Sequence, residues 1–258
     1  MLEKILDTKK KELNSLIMPE KADVPRVSFY EALRNPHRSL GLIAEVKKAS
    51  PSKGVIKEHF EPVTIAKAYE AAGADALSVL TDHTYFQGSR EFIPEIKQSV
   101  NLPVLRKDFL IDSRQVEESV RIGADAILLI VAALEIERLY ELYQLAEEKG
   151  MDCLVEVHSK NELDRLLNVF TPKIIGVNNR DLTRFVTTLD QSEKLSALIP
   201  EKALFISESG IATNEDMKRV KSFGADGVLV GEALMRASTP EEGIQTLFGS
   251  EYDVTSSY

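Results

Sequence analysis

At 258 residues the chain suits either two small domains or one α/β barrel. Its apolar fraction of 43% and charged fraction of 28% are those of an ordinary globular protein, and its formal net charge of −9 disfavours general nucleic-acid binding, which needs a basic footprint. No stretch is apolar for long enough to span a bilayer, and Cys153, the only cysteine, can form no intrachain disulfide.

The chain opens with Leu2, Ile5, Leu6, Leu13, Leu16 and Ile17 at helical spacing, which predicts an amphipathic helix packed on the body of the protein. Charges interrupt this segment, so it does not read as a secretory leader, and the expected compartment is cytoplasmic. Eight short apolar runs follow: Leu42 to Val46, Ala76 to Leu80, Leu102 to Leu105, Ala126 to Val131, Cys153 to Val157, Lys173 to Val177, Ala203 to Ile206 and Gly227 to Val230. Such runs fit parallel strands buried on both faces, and within them Cys153 reads as core. Helical stretches lie between them, including Pro62–Ala72, Gln115–Ile122, Glu135–Lys149 and Asn214–Phe223. Eight strand–helix units predict a closed (β/α)8 TIM barrel of the α/β class. We expect one domain over 1–258, with 1–40 as an N-terminal helical extension and a polar, frayed tail from Ser250 to Tyr258.

A weak repeat supports the barrel. Gly73-Ala74-Asp75, Gly123-Ala124-Asp125 and Gly224-Ala225-Asp226 each end a helix and open a strand, and Gly150-Met151-Asp152 is a looser copy. Such turns belong to the stability face of a barrel, so these aspartates are assigned no catalysis.

Polar groups recur instead at the other strand ends. Glu45 and Lys47 end the first run, Lys107 the third, Asn178-Asn179-Arg180 the sixth and Glu208-Ser209-Gly210 the seventh, while Glu156 sits near the end of the fifth. Alternation along a strand puts Glu45 and Lys47 on the face of Ile43, Glu156 on that of Leu154 and Glu208 on that of Ile206. If those faces line the interior, the charges converge at the C-terminal mouth, where barrels of this kind carry their active sites. The loops Ser207–Ile211 and Val230–Ala233 follow the seventh and eighth runs, and the second leads into a helical stretch, Ala233–Ala237. Glycines and a helix N-terminus there predict a phosphate site. Glu232 fits only if its N–H points in and its carboxylate out.

Several motifs together resemble the indole-3-glycerol-phosphate synthases. They are Ile43-Ala44-Glu45-Val46-Lys47-Lys48-Ala49-Ser50-Pro51-Ser52-Lys53-Gly54, Leu77–Asp82, Tyr85-Phe86-Gln87-Gly88, Leu105–Phe109, Leu154–His158, Asn178-Asn179-Arg180-Asp181-Leu182 and Ser207–Gly210, in order from about Leu2 to Ala237. The resemblance implies ring closure, decarboxylation and dehydration of 1-(2-carboxyphenylamino)-1-deoxyribulose 5-phosphate, a small phosphorylated substrate, in tryptophan biosynthesis, with no cofactor and no metal. It also implies the site. Lys107 is the acid of the first step, with its pKa expected to be lowered towards neutrality, and Glu156 supports it. Lys47 and Glu45 are acid and base of the last step. Asn178, Glu208 and Ser209 join the catalytic set. Ser50 and Arg180 fix polar groups of the substrate, and Phe86, Phe109, Leu128 and Leu182 wall its ring. Lys47, Gly210, Gly231 and Glu232 receive the phosphate. The resemblance further places a helix from Leu2 to Pro19 over the barrel mouth and makes the loop from Ala49 to Phe60 a mobile lid.

Two alternatives stand beside this reading. A phosphoribosylanthranilate isomerase-like barrel would favour Cys or Asp near the first and fifth strand ends, and the first strand here ends in Glu45-x-Lys47 instead. A non-catalytic sugar-phosphate sensor could dispense with Lys107 and Glu156, which are both present. His37, His59, His83 and His158 are scattered and suggest no metal site. No membrane or nucleic-acid partner is expected, and the acidic surface fits a monomer.

Overall fold

A computed structural model describes residues 1–180, 187–249 and 251–252. Eight strands run parallel: β1 Gly41–Val46, β2 Ala76–Leu80, β3 Val104–Lys107, β4 Ala126–Ile130, β5 Asp152–Val157, β6 Ile174–Asn178, β7 Leu204–Glu208 and β8 Gly227–Val230. They form one closed ring, shut by β1 pairing with β8 from Gly41↔Gly227 to Ala44↔Val230. The apolar runs therefore located all eight strands. Three of them shift towards the mouth: β3 takes in Arg106 and Lys107, β6 takes in Asn178, and β7 takes in Ser207 and Glu208. Backbone pairing continues past the last apolar residue because the polar side chains there face one another rather than oil.

The helices start and stop on local chemistry. Asp112 and Gln115 form a capping box, so the third predicted helix begins earlier, at Ser113–Arg121. Thr213 caps Asn214–Ser222 in the same way. The first helix, α1, spans Leu2–Asn14, with Ile5 and Leu13 buried. Ile17 lies beyond its end and is 78% exposed, so it does not belong to the apolar face.

Two layers of core result. Ile43, Leu105, Leu128, Leu154, Ile206 and Leu229 fill the barrel interior, and the other strand faces pack against the outer helices. A short helix, α2 (Phe29–Arg34), adds Phe29 and Leu33 to the interior layer. It plugs the N-terminal end of the barrel, a feature the sequence pattern did not single out.

The glycine–aspartate turns are fasteners of that end. Gly73, Gly123, Gly150 and Gly224 all have positive φ, between 73 and 85°. Each following aspartate accepts a neighbouring backbone N–H: Asp75 from Leu42 at 2.8 Å, Asp125 from Val104 at 2.8 Å, Asp226 from Phe205 at 2.7 Å and Asp152 from Tyr30 at 2.9 Å. The expected polar tail falls mostly outside the described residues.

Candidate active site

The inward faces of β1, β3, β5 and β7 carry four of the predicted polar groups to one place. Glu45 and Lys47 pair at 2.5 Å, and Ser78 Oγ donates to the second oxygen of Glu45 at 3.4 Å. Lys107 Nζ lies 3.8 Å from Glu156 and 4.0 Å from Glu208. Two glycines make room for these carboxylates. A Cβ on Gly176 would stand 2.0 Å from Glu208 Oε1, and one on Gly231 would stand 2.3 Å from Glu45 Oε1. Gly231 thus opens space for the Glu45–Lys47 pair as well as lying on the loop predicted to receive phosphate.

Charge balance sets the protonation pattern. Burial alone would push the Glu45 carboxyl up, but Lys47 and Lys107 outweigh it and hold the group below its ordinary value. Glu208 goes the other way: burial, then the neighbouring charge of Glu156, raises it well above the carboxylate range, so it holds its proton beside Glu156. Lys107 corrects the expectation. Burial would lower its pKa, yet Glu156, Glu208 and Glu45 overcome burial and raise it to about 12. Lys107 is a firmly charged ammonium because the carboxylates around it outweigh both burial and the nearby charge of Arg180.

Around this centre lie the predicted binding residues. Ser50 is buried in a short hairpin, Ala49–Ser50 with Gly54–Val55, that follows β1. From the turn of this hairpin Ser52 accepts a bond from Arg180 at 2.6 Å. Asn178 Oδ1 accepts the Arg180 backbone N–H at 3.0 Å. The rings of Phe86 and Phe109 stand 6.2 Å apart, with Phe109 against the interior layer that includes Leu128. Leu182 lies outside the described residues. Ser209 and Gly210 both take positive φ, 68 and 78°, turning the chain sharply after β7. The N–H groups of Gly210, Gly231 and Glu232 have no acceptor among the described residues, and Glu232 opens the helix Glu232–Arg236. The Glu232 carboxylate is drawn to Arg236 at 3.0 Å, Lys53 at 3.5 Å and Arg180 at 4.0 Å.

A family model for indole-3-glycerol phosphate synthase matches residues 2–247. The chain belongs to this family. It is 61% identical to the indole-3-glycerol phosphate synthase of Halalkalibacterium halodurans, over 97% of this chain and 98% of that one. It is 60% identical to that of Priestia megaterium, over 98% and 99%, and 59% identical to that of Bacillus velezensis, over 96% and 100%. Among solved structures, 3-hexulose-6-phosphate synthase from Salmonella typhimurium aligns with a TM-score of 0.66 at 15% identity, covering 84% of this chain and 98% of that one. That likeness concerns the barrel fold alone. As a member of the family the chain is a carboxy-lyase of tryptophan biosynthesis acting on a small phosphorylated substrate, and the isomerase and sensor alternatives fall.

Three polar residues of this synthase barrel were given no role by the reading of its sequence, Lys9 among them not singled out at all. Lys9 on α1 is 3% exposed and spans Asp82 at 2.7 Å and Asp108 at 2.9 Å, docking α1 on the C-terminal ends of β2 and β3. Asn179 is buried and binds Ser207 Oγ at 3.0 Å, the Ser209 carbonyl at 3.1 Å and the Ser192 N–H at 3.0 Å, tying β6 to the turn after β7. His158, which lies just past β5 rather than within it, touches Glu156. A lysine in a charged helix reads as solvated, and nothing local distinguishes Asn179 from its neighbour Asn178. Each signal arises only once distant strands meet.

Proposed function

We propose that the mouth converts 1-(2-carboxyphenylamino)-1-deoxyribulose 5-phosphate to indole-3-glycerol phosphate, with Lys107 as the acid of ring closure. The position of Lys107 Nζ carries this reading: it sits among Glu156, Glu208 and Glu45 at the barrel mouth. When the aryl carbon attacks the ketone, the oxygen becomes an alkoxide. A fixed ammonium stabilises that charge and surrenders a proton, because an alkoxide is far more basic than an amine. Carbon dioxide then departs and leaves its bonding electrons in the ring system. Loss of the hydroxyl as water needs a second acid, assigned to Lys47, and removal of the ring proton needs a base, assigned to Glu45. Their 2.5 Å contact lets the proton return from base to acid and resets the pair.

Asn178 and Arg180 bind polar groups of the substrate together with Ser50, and the guanidinium fork suits its planar carboxylate. Phe86, Phe109, Leu128 and Leu182 wall the ring. The N–H groups of Gly210, Gly231 and Glu232, which have no acceptor among the described residues, receive the phosphate together with Ser209 and Lys47. Residues 1–258 act as one domain, as a monomer, in the cytoplasm and without nucleic acid, in keeping with a net charge of −9 and the lack of any membrane-length apolar helix among the described residues. The test is a fluorescence assay of indole product. Lys107→Ala is expected to cut turnover by roughly 10²–10⁴-fold with the circular dichroism unchanged. A loss under about tenfold would assign the acid elsewhere.

A further inference from the structure

One buried titratable side chain touches the catalytic carboxylates and has no part in the scheme above. The His158 side chain is 10% exposed, with Nε2 3.3 Å from Glu156 Oε1 and Nδ1 3.4 Å from Glu162 Oε2. Its backbone is anchored on both sides: the N–H donates to Glu162 at 2.8 Å, and the carbonyl accepts from Gln191 Nε2 at 2.7 Å. The ring is thus held between two carboxylates at ion-pair distance, and neither nitrogen has a well-formed hydrogen bond to any group among the described residues. A neutral imidazole has one N–H and one lone pair. In either neutral tautomer one carboxylate would face a lone pair in a buried site. Only the imidazolium presents an N–H to both.

Glu156 needs such a hold. Its other oxygen, Oε2, faces Lys107 at 3.8 Å, and its charge helps keep the neighbouring Glu208 protonated. Three carboxyl groups, Glu45, Glu156 and Glu208, share two lysines, Lys47 and Lys107. We propose that His158 is a positioning residue for the ring-closing step: as imidazolium it grips Glu156 Oε1, so that Oε2 stays turned to Lys107 and Glu208. The charged groups facing the imidazole among the described residues are Glu156 on β5, Glu162 on the helix Lys160–Leu167, and Lys107 on β3. Burial and Lys107 oppose the imidazolium, Glu162 and Glu156 favour it, and the carboxylates prevail. The inference rests on the role proposed for Lys107 and Glu156, and the Lys107→Ala assay tests that role separately.

The experiment compares steady-state kinetics of His158→Ala and His158→Gln with the parent across the pH range. His158→Ala is expected to lower kcat about 10- to 100-fold, the effect of unpairing a buried charged group, with KM changed less than about threefold. His158→Gln, whose amide can still donate to Glu156, is expected to recover part of kcat. The limb of the parent kcat profile that reports loss of the imidazolium proton should vanish in both variants. Unchanged kcat, or equal losses in the two variants with the limb intact, overturns the proposal. Nitrogen-15 spectra of the parent's imidazole provide a second test that needs no folded His158 variant. Both ring nitrogens should be protonated at neutral pH, and Glu156→Gln should lower the pH at which that proton leaves. A neutral ring at that pH, or a titration indifferent to Glu156→Gln, overturns the proposal as well.

Discussion

At the scale of single residues, the site is a problem of proton inventory. Glu45 and Glu208 are both buried glutamates at strand ends, yet they sit in opposite charge states because Glu45 has a lysine at 2.5 Å and Glu208 has a glutamate beside it. The residue types at the mouth were legible in the sequence, since charge is costly in a buried strand and its recurrence at one end of several runs calls for a reason. The charge states were not legible. They depend on which carboxylates from β1, β5 and β7 surround Lys107, and closure of the ring decides that. A stability measurement follows from the raised Glu208. The folded state keeps a proton that the unfolded chain releases near the ordinary glutamate value, about 4.3. Its contribution is therefore complete below that value and drains away as pH rises towards the folded value. Glu208→Gln mimics the protonated form at every pH. The variant should melt higher than the parent at about pH 8, and the gap should close towards about pH 4. A gap that does not change with pH would mean that Glu208 is ionised in the folded protein.

Among elements, the strands were read well and their ends less well, for one physical reason. Apolar runs mark where a strand is buried on both faces, but pairing continues into the polar mouth, as at Arg106-Lys107 and Ser207-Glu208. The two N-terminal helices show a different limit. The amphipathic spacing of α1 predicted a packed helix, and family resemblance placed it over the mouth. Its strongest attachment is nevertheless Lys9, a residue on which no apolar pattern bears. Burial would strip Lys9 of its proton, but Asp108 and Asp82 push its pKa up instead. Asp82 also caps His83–Phe86, the short helix that carries Phe86, and Asp108 adjoins Lys107. Lys9→Met leaves both aspartates buried without that cation. Because Asp108 keeps Arg106 and Thr81, and Asp82 keeps two backbone N–H donors, the cost should lie near the low end for a broken buried pair, about 3 kcal/mol. Denaturant unfolding would measure it. KM should rise as Phe86 loses its support, and kcat should fall less than in Lys107→Ala. A loss under about 1 kcal/mol would show that water replaces the ammonium without penalty.

For the whole molecule, the barrel divides its labour between two ends, and the division can be broken deliberately. The C-terminal mouth concentrates partly satisfied groups: Glu156 Oε2, Glu208 Oε1 and both ring nitrogens of His158 are buried without a well-formed hydrogen bond among the described residues. The N-terminal end does the opposite. There the aspartates after the positive-φ glycines each accept at least one backbone N–H, and α2 seals the interior with Phe29 and Leu33. Asp125 and Asp75 each have three partner groups, and Asp125 shows what they hold. It accepts from Val104 and Val27, each at 2.8 Å, and pairs with Lys97 at 2.6 Å, a lysine as buried as itself. Asp125→Ala would strand that lysine and release the start of β3 together with the segment leading into α2. Breaking a buried pair costs about 3–5 kcal/mol, which in a chain of this length lowers the melting temperature by roughly 10 °C. Turnover at a temperature where the variant is still folded should match the parent, because β3 reaches the mouth with Lys107 at its far end. If Asp125→Ala instead lost turnover in step with stability, the strand would be transmitting disorder from one end to the other. The separation of scaffold from site would then not hold for this barrel.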